Sequence, residues 1–486
     1  MLKEGEEEPA SPSARLMQAP QFNLCIISAM GYYTKIDANL YKKCIQQTLL
    51  KHPRFSSILV TNNGKCSWKR TKVDVENHVF AMDLDPDMDS PDKFVENYAT
   101  NLSGTPMDLT KPLWEIHILN VKTSDASSTA LFKIHHSMGD GVSLMALCHA
   151  CSRKINDPDS LPVFPSSEKQ NRVVISDRGL IMNRFWGFVW TVMLVAFYTL
   201  MDITAFIATL WLVRDAKTPI KVEHGGAPQS QKRFVHRVVN LDDVKLIKTA
   251  LNVSINDVVL GVTEAGISRY LNARYEKINE NGAEIINING ANSLPKSLRL
   301  RSTVVFNLRP SPTIKDLADM MEKEELKGMW GNLIGIVILP LKIDMLDNPL
   351  TYIRRAKSMM DRKKLSLGHK CAFLVMKLTM SLFGIKAAAA MTSAVFRNTT
   401  LTFSNVMGPK EEVNLFGHHL SYIAPSVYGF PQSLVVHHQS YADRLIISIG
   451  ADEKLIPNPY QLCDDLVKSL QNIKEAVMKL DGNSLC

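Results

Sequence analysis

The chain of 486 residues is poor in the features that mark several common protein classes. Its eight cysteines (Cys25, Cys44, Cys66, Cys148, Cys151, Cys371, Cys463 and Cys486) are scattered rather than spaced as a disulfide framework, so reduced thiols facing the cytosol are expected. Cys148-His149-Ala150-Cys151 has the look of half a zinc site, but no second Cys/His pair of suitable spacing accompanies it. It is read as core packing, and no metal is expected. Lysine and arginine outnumber aspartate and glutamate by 56 to 48, with the basic residues spread along the chain and no Arg-rich helix or RNA-binding signature. Nucleic acid is therefore not an expected partner; acidic lipid head groups or an anionic small substrate suit the balance as well. Met1 to Ala14 is acidic and rich in Pro and Ser, with neither the basic nor the apolar region of a secretory signal. It reads as a flexible lead-in.

Only one stretch is apolar enough for a membrane. Phe185 to Met201 is 17 residues without a charge, Asp202 interrupts, and Ile203 to Val213 adds 11 more. The first part lies at the lower limit for a spanning helix, and an aspartate at a bilayer centre costs about 3 kcal/mol. Aromatic residues stand near both ends (Phe185, Trp186, Trp190 and Trp211), as at membrane interfaces. Membrane association is expected, as a span or as a re-entrant or interfacial helix; a simple span would put the two halves of the chain on opposite sides, which the other two arrangements avoid, and a buried soluble helix is the alternative reading. Lys377 and Lys386 argue against a second span in the later run Phe373 to Ala394.

The rest alternates strand-like and helix-like runs, which predicts an α/β sandwich. Strands are expected near Asn23–Met30, Phe55–Val60, Ile285–Asn289, Thr303–Leu308, Leu333–Leu339 and Leu401–Val406. Helices are expected near Asp37–Lys51, after Ser90-Pro91, at Leu241–Leu251 and at Pro459–Leu480. Ser254 and Asp257 have capping-box spacing, which gives Asn256 and Asp257 a structural reading. His437-His438 falls in a strand that pairs with Leu445–Gly450, and His418-His419 in a loop.

One stretch carries chemistry. Lys133-Ile134-His135-His136-Ser137-Met138-Gly139-Asp140-Gly141 follows the strand-like Thr129–Phe132 and leads into a helix-like run. Two histidines thus stand at a strand end, closed by a Gly-Asp-Gly turn, where a side chain is held rigidly and still reaches a cavity. A neutral imidazole there can take a proton from a hydroxyl or thiol.

The His-His-x-x-x-Asp-Gly spacing resembles the active-site motif of acyl-CoA-dependent acyltransferases with the chloramphenicol acetyltransferase-like fold. Pro112-Leu113-Trp114, Asn256-Asp257, and Ser404-Asn405-Val406 with Gly408-Pro409 follow in the order seen in the wax ester synthase/diacylglycerol acyltransferase family. Glu8-Pro-Ala-Ser-Pro12 and the apolar segment resemble its plant branch. Met407 departs from the Pro or Val of some relatives and leaves the turn intact.

The resemblance implies two chloramphenicol acetyltransferase-like sandwich domains, 1–165 and 237–486, joined by a linker 166–236 that carries the apolar segment at about 185–213. It implies His136 as general base, with His135, Asp140 and Gly141 shaping the loop. Ser404 or Asn405 is the candidate donor to the oxyanion, and Pro112, Leu113 and Trp114 would line or support an acyl channel. Asn256 and Asp257 join them as candidate substrate-binding residues. Acyl-CoA is the implied co-substrate, with no metal or redox cofactor. A long-chain alcohol or diacylglycerol is the implied acceptor, and the endoplasmic reticulum membrane, with the plasma membrane as a second site, the implied location. Two other readings stand beside this one: a related transferase with another hydroxyl acceptor, and a non-catalytic lipid-binding protein.

Overall fold

The computed structural model describes residues 7–20, 22–62, 65–158, 160–162, 181–221, 231–280, 293–309 and 330–483. The strands of the first half are β1 (Glu7–Pro9), β2 (Cys25–Tyr32), β3 (Ser57–Asn62), β4 (Lys65–Arg70), β5 (Val79–Met82), β6 (Trp114–Leu119), β7 (Ser128–His135) and β8 (Ser152–Lys154). Those of the second half are β9 (Lys232–Asn240), β10 (Arg299–Asn307), β11 (Ile334–Lys342), β12 (Leu401–Met407), β13 (Val413–Leu415), β14 (His418–Tyr428), β15 (Leu434–Tyr441) and β16 (Arg444–Asp452). They form a three-stranded sheet β1-β4-β3, a seven-stranded sheet β5-β6-β7-β2-β14-β13-β8 and a six-stranded sheet β11-β10-β12-β15-β16-β9. Two hydrophobic clusters form, and the first draws Phe234, Val435 and Ile446 from the six-stranded sheet as well as the residues of the seven-stranded one. The α/β sandwich of two halves is as expected; the expected strand at Ile285–Asn289 lies outside the described residues.

The chain does not divide cleanly at its linker. β13 and β14 come from the second half but complete the first sheet, with β14 antiparallel to β2 from Leu420↔Tyr32 to Tyr428↔Cys25. His418-His419 therefore opens an eleven-residue strand rather than lying in a loop. His418 Nε2 accepts from the Asp37 N–H at 2.9 Å, a structural use of that imidazole.

The lead-in is also structured from Glu7. β1 pairs with β4, and Pro12–Met17 forms a helix whose first turn is closed by the Ser11 hydroxyl accepting from the Ala14 N–H at 3.2 Å. Pro12 suits the first helical position, where a missing N–H leaves no bond unmade. What reads as a flexible, Pro/Ser-rich composition is a helix start.

Among the described residues two helices, not one, are long and apolar enough to cross a membrane: Trp186–Trp211 within Ile181–Trp211, and Gly368–Asn398. Lys377 and Lys386 concealed the second in the sequence. It is not a single rod, because Gly384 has φ +80° and ψ 174° and breaks it. The Thr379 hydroxyl reaches Met391 Sδ at 3.6 Å, although twelve residues of straight helix would separate them by about 18 Å. The two arms thus fold back on each other, each about 20–25 Å long against a hydrocarbon core of about 30 Å. Leu382 and Phe383 stand exposed at the apex. Trp186, Phe188, Trp190, Phe197 and Leu200 are exposed along the first helix.

The first helix is pinned to the second half at two points. Asp202 forms an ion pair with buried Lys363 at 2.5 Å, while the Leu367 N–H donates to Thr199 Oγ1 at 3.0 Å. Beyond its end, Arg301 holds Asp215 at 2.5 Å and donates to the carbonyls of Val213 (3.0 Å) and Asn398 (2.8 Å), terminating both apolar helices. Asp202, the residue that weighs most against a span in the sequence, faces protein.

Removing one partner from a buried pair leaves an uncompensated charge, at a cost of about 3 kcal/mol. Lys363→Met is therefore expected to lower unfolding stability by about that amount, and the double variant Lys363→Met/Asp202→Leu to regain most of it. Additive losses in denaturant unfolding would show that the two side chains do not act as a pair.

Candidate active site

β7 lies between β6 and β2 and is buried along its whole length, which explains its run of Ala, Leu, Phe and Ile. Its last residue, His135, donates its backbone N–H to the Leu113 carbonyl at 2.9 Å, and His136 donates to the Leu24 carbonyl at 2.8 Å. These bonds fix the strand end and turn the two rings apart. His135 Nδ1 accepts from the Ser137 N–H at 3.2 Å and lies 2.8 Å from its hydroxyl. The ring lines a polar cavity with Lys133 and Lys232, and burial together with His136 and Lys133 pushes its pKa down to about 4.

His136 faces the other way, at the junction of two cavities. The larger, of about 260 Å³, runs between the halves and is also lined by Asp140, Gly141, Ser404, Asn405 and Val406. The smaller, of about 70 Å³, is apolar and extends from His136 to Leu16 and Met17 of the helix Pro12–Met17, Phe206 of the helix Ile181–Trp211 and Met376 and Met391 of the broken one. Both share Val305, Ile334 and Phe430 with His136.

The tautomer of His136 follows from its partners. The Asn332 amide donates from Nδ2 to the His136 carbonyl at 2.8 Å, which can only accept, so Oδ1 faces His136 Nδ1 at 3.1 Å. An amide oxygen cannot donate, so Nδ1 carries the hydrogen and Nε2 keeps its lone pair. Burial lowers the pKa below the ordinary imidazole range; the nearby Asp140 charge and Asn332 work against that shift. A neutral ring with a free Nε2 lone pair is the form a general base requires.

Asp140 stands at the wall of the larger cavity but spends both carboxylate oxygens on protein. Its Oδ1 caps the helix Gly141–Cys151 by accepting from the Ser143 N–H at 3.0 Å, and its Oδ2 takes an ion pair from Arg309 at 2.9 Å and the Leu333 N–H at 3.0 Å. Arg309 also donates to the Gly331 carbonyl at 2.6 Å and the Ser143 hydroxyl at 2.9 Å. Trp330 Nε1 donates to the Met138 carbonyl at 2.8 Å. Gly141 lets the helix start approach β12: a Cβ there would lie 3.2 Å from Val406 Cγ2.

Trp330 to Leu333 and Arg309 thus wrap the motif from the second half. The sequence places Leu333 in a strand but gives none of these residues a part in the site. The one signal available was Trp330-Gly331-Asn332 standing directly before a strand run; Arg309 carried none.

The remaining candidates divide. Ser404 lines the larger cavity, and its hydroxyl has no protein partner among the described residues. Asn405 lines it too but spends its amide on exposed Asn256, Nδ2 to Oδ1 at 2.5 Å. Asp257 is buried in the expected capping box, accepting from the Ser254 N–H and hydroxyl at 2.8 and 2.7 Å. Pro112, Leu113 and Trp114 are buried away from both cavities. Trp114 donates to the Phe55 carbonyl at 2.9 Å and stacks on His78 at 4.3 Å. These three support the motif through the Leu113 carbonyl. Among the described residues no group of three or more His, Cys, Asp or Glu could hold a metal ion.

Two solved structures share this architecture. The wax ester synthase/diacylglycerol acyltransferase from Marinobacter aquaeolei VT8 aligns with a TM-score of 0.59 at 16% identity, covering 97% of this chain and 100% of that one. The first condensation domain of the CDA synthetase aligns with a TM-score of 0.54 at 12% identity over 94% of this chain and 92% of that one. The fold class is therefore the chloramphenicol acetyltransferase-like one.

Sequence comparison narrows it. The wax ester synthase/diacylglycerol acyltransferase catalytic domain matches residues 15–259, and the WS/DGAT C-terminal domain matches residues 330–474. Wax ester synthase/diacylglycerol acyltransferase 11 of Arabidopsis thaliana is 46% identical over 483 residues, 98% of this chain and 96% of that protein. Its relative number 6 is 44% identical over 497 residues, 99% of this chain and 95% of that protein. The chain belongs to the wax ester synthase/diacylglycerol acyltransferase family and is an acyltransferase.

Asn332→Asp tests how His136 is held. A carboxylate beside Nδ1–H favours the imidazolium and raises its pKa, so a larger share of the base is protonated at a given pH. The acid limb of the pH profile of kcat/KM is expected to move to higher pH, with activity nearest wild type above pH 8. An unmoved limb would separate Asn332 from the base.

Proposed function

We propose that the protein is an acyl-CoA-dependent O-acyltransferase working at a membrane surface. Its acceptors would be long-chain alcohols, giving wax esters, with diacylglycerol as a second acceptor giving triacylglycerol. The observation that carries this reading is the position of the His136 ring between a wide inter-domain cavity and an apolar one that reaches the two apolar helices. A thioester with its polar CoA portion suits the first, and an acceptor drawn from lipid suits the second.

Nε2 of His136 takes the hydroxyl proton as the alcohol oxygen attacks the thioester carbonyl carbon. The carbonyl electron pair moves onto oxygen, where the Ser404 hydroxyl can donate to it. When the pair returns, the C–S bond breaks and the proton passes from His136 to the CoA sulfur. No acyl-enzyme, metal or redox cofactor enters this sequence. The exposed apolar faces give the protein a way to sit on the endoplasmic reticulum membrane, with both halves on the cytosolic side.

Labelled long-chain acyl-CoA offered with a fatty alcohol or diacylglycerol tests the reaction. Ester is expected from wild type and a loss of about 10²–10⁴-fold in His136→Ala. Equal ester from both proteins would remove His136 from the mechanism, and the preferred acceptor separates wax ester from triacylglycerol synthesis.

Attachment has its own test. Replacing the apex pair Leu382 and Phe383 by Ser is expected to weaken binding to phospholipid vesicles by roughly tenfold or more, each buried apolar side chain contributing about 1.5–3 kcal/mol when fully removed from water. Unchanged flotation with the vesicles would exclude the apex as an anchor.

A further inference from the structure

The second histidine doublet, read from the sequence as plain strand, divides between two environments. β15 runs parallel to β12 in the register Ser404↔His437 and Asn405↔His438. Alternation sends neighbouring residues of a strand to opposite faces, and partners across a parallel pair to the same face. His438 packs against Phe403 at 5.4 Å in the second core. His437 instead emerges beside Ser404 into the 260 Å³ cavity that His136 lines.

Both histidines keep unpaired ring nitrogens among the described residues, but only His437 does so at the cavity wall. It is 5% exposed, and its Nε2 is buried with no hydrogen-bond partner among the described residues. Leaving such a group unsatisfied costs about 1–3 kcal/mol, a cost a bound ligand removes. An apolar side chain of similar size would fill the same space without it. Burial first and then the charge of neighbouring His136 push the pKa of His437 down to about 3. The ring is therefore neutral at any working pH and offers one N–H without competing for the acceptor's proton.

We propose that His437 donates its ring N–H to the thioester carbonyl oxygen as that oxygen gains charge, beside the hydroxyl of Ser404 on the adjacent strand. This rests on the acyl-transfer reading above. The new acceptor O–C bond forms while the carbonyl pair moves onto oxygen and His136 holds the proton. The pair then returns, the C–S bond breaks and the sulfur takes the proton. His437 gains and loses nothing; its bond is strongest at the tetrahedral stage, so it acts on kcat rather than on substrate binding.

The test measures His437→Leu and His437→Gln beside wild type and His136→Ala, for ester formation and for melting temperature. His437→Leu is expected to lose kcat by about 10²–10³-fold, the usual effect of removing one oxyanion donor, with both KM values within about threefold of wild type. His437→Gln, which restores an N–H donor, is expected to recover at least about tenfold of that loss. The melting temperature of His437→Leu should not fall, because the ring nitrogen has no bond to lose.

A kcat near wild type in His437→Leu would overturn the assignment. So would a loss that appears in KM alone, equal losses in the Leu and Gln variants, or a loss that follows the melting temperature. Ester abolished by His136→Ala but retained by His437→Leu would overturn this inference and keep the acyl-transfer reading. No ester from wild type would overturn both.

Discussion

The buried ion pair between Asp140 and Arg309 is the contact on which the site depends. Asp140 belongs to the first half and Arg309 to the second, and neither side chain is more than 3% exposed. Two charges taken out of water are tolerated only where further bonds complete them. Here the Ser143 and Leu333 N–H groups complete the carboxylate, and the Gly331 carbonyl, the Ser143 hydroxyl and Asn307 Oδ1 complete the guanidinium. The His135–Gly141 loop and the Trp330–Leu333 segment are therefore one polar unit. The same segment supplies Asn332, which sets the tautomer of His136. The first half holds the histidine, and the second decides which nitrogen is free.

The apolar helices extend this dependence to the smaller cavity beside His136. Asp202 and the Arg301 cluster tie the first helix to the strands and helices of the second half at its middle and beyond its end. The break at Gly384 lets both arms of the other helix line the small cavity beside His136. Exposed apolar surface and the wall of the cavity beside His136 thus belong to the same segments.

Much of the fold was legible because its signals are local. The strand before the motif, the capping box at Ser254 and Asp257, the helix Leu241–Leu251 and the hairpin of β15 and β16 all depend on neighbouring residues. The site was legible only where it is contiguous. His136, Asp140 and Gly141 share a short motif, whereas Arg309 and Asn332 reach it through the tertiary fold and carry no spacing to read. Pro112 to Trp114 could be placed near the motif, but only the structure shows a supporting role through a backbone carbonyl. Two lysines disguised the second apolar helix, since their positions on a broken helix cannot be told from sequence. The strand at His418 was hidden because its partner, β2, lies at the other end of the chain.

That last pairing bears on how the protein is made. β14 sits in the interior of the first sheet, between β2 and β13. Roughly 400 residues separate β2 from β14, and at about 5–20 residues per second a ribosome needs on the order of 20–80 s to make them. Through that interval β2 has a free edge of backbone N–H and C=O groups flanked by apolar side chains, a template for unwanted strand pairing. The first half cannot finish folding as it leaves the ribosome. Its nascent form keeps that edge open until about the last sixth of the chain arrives.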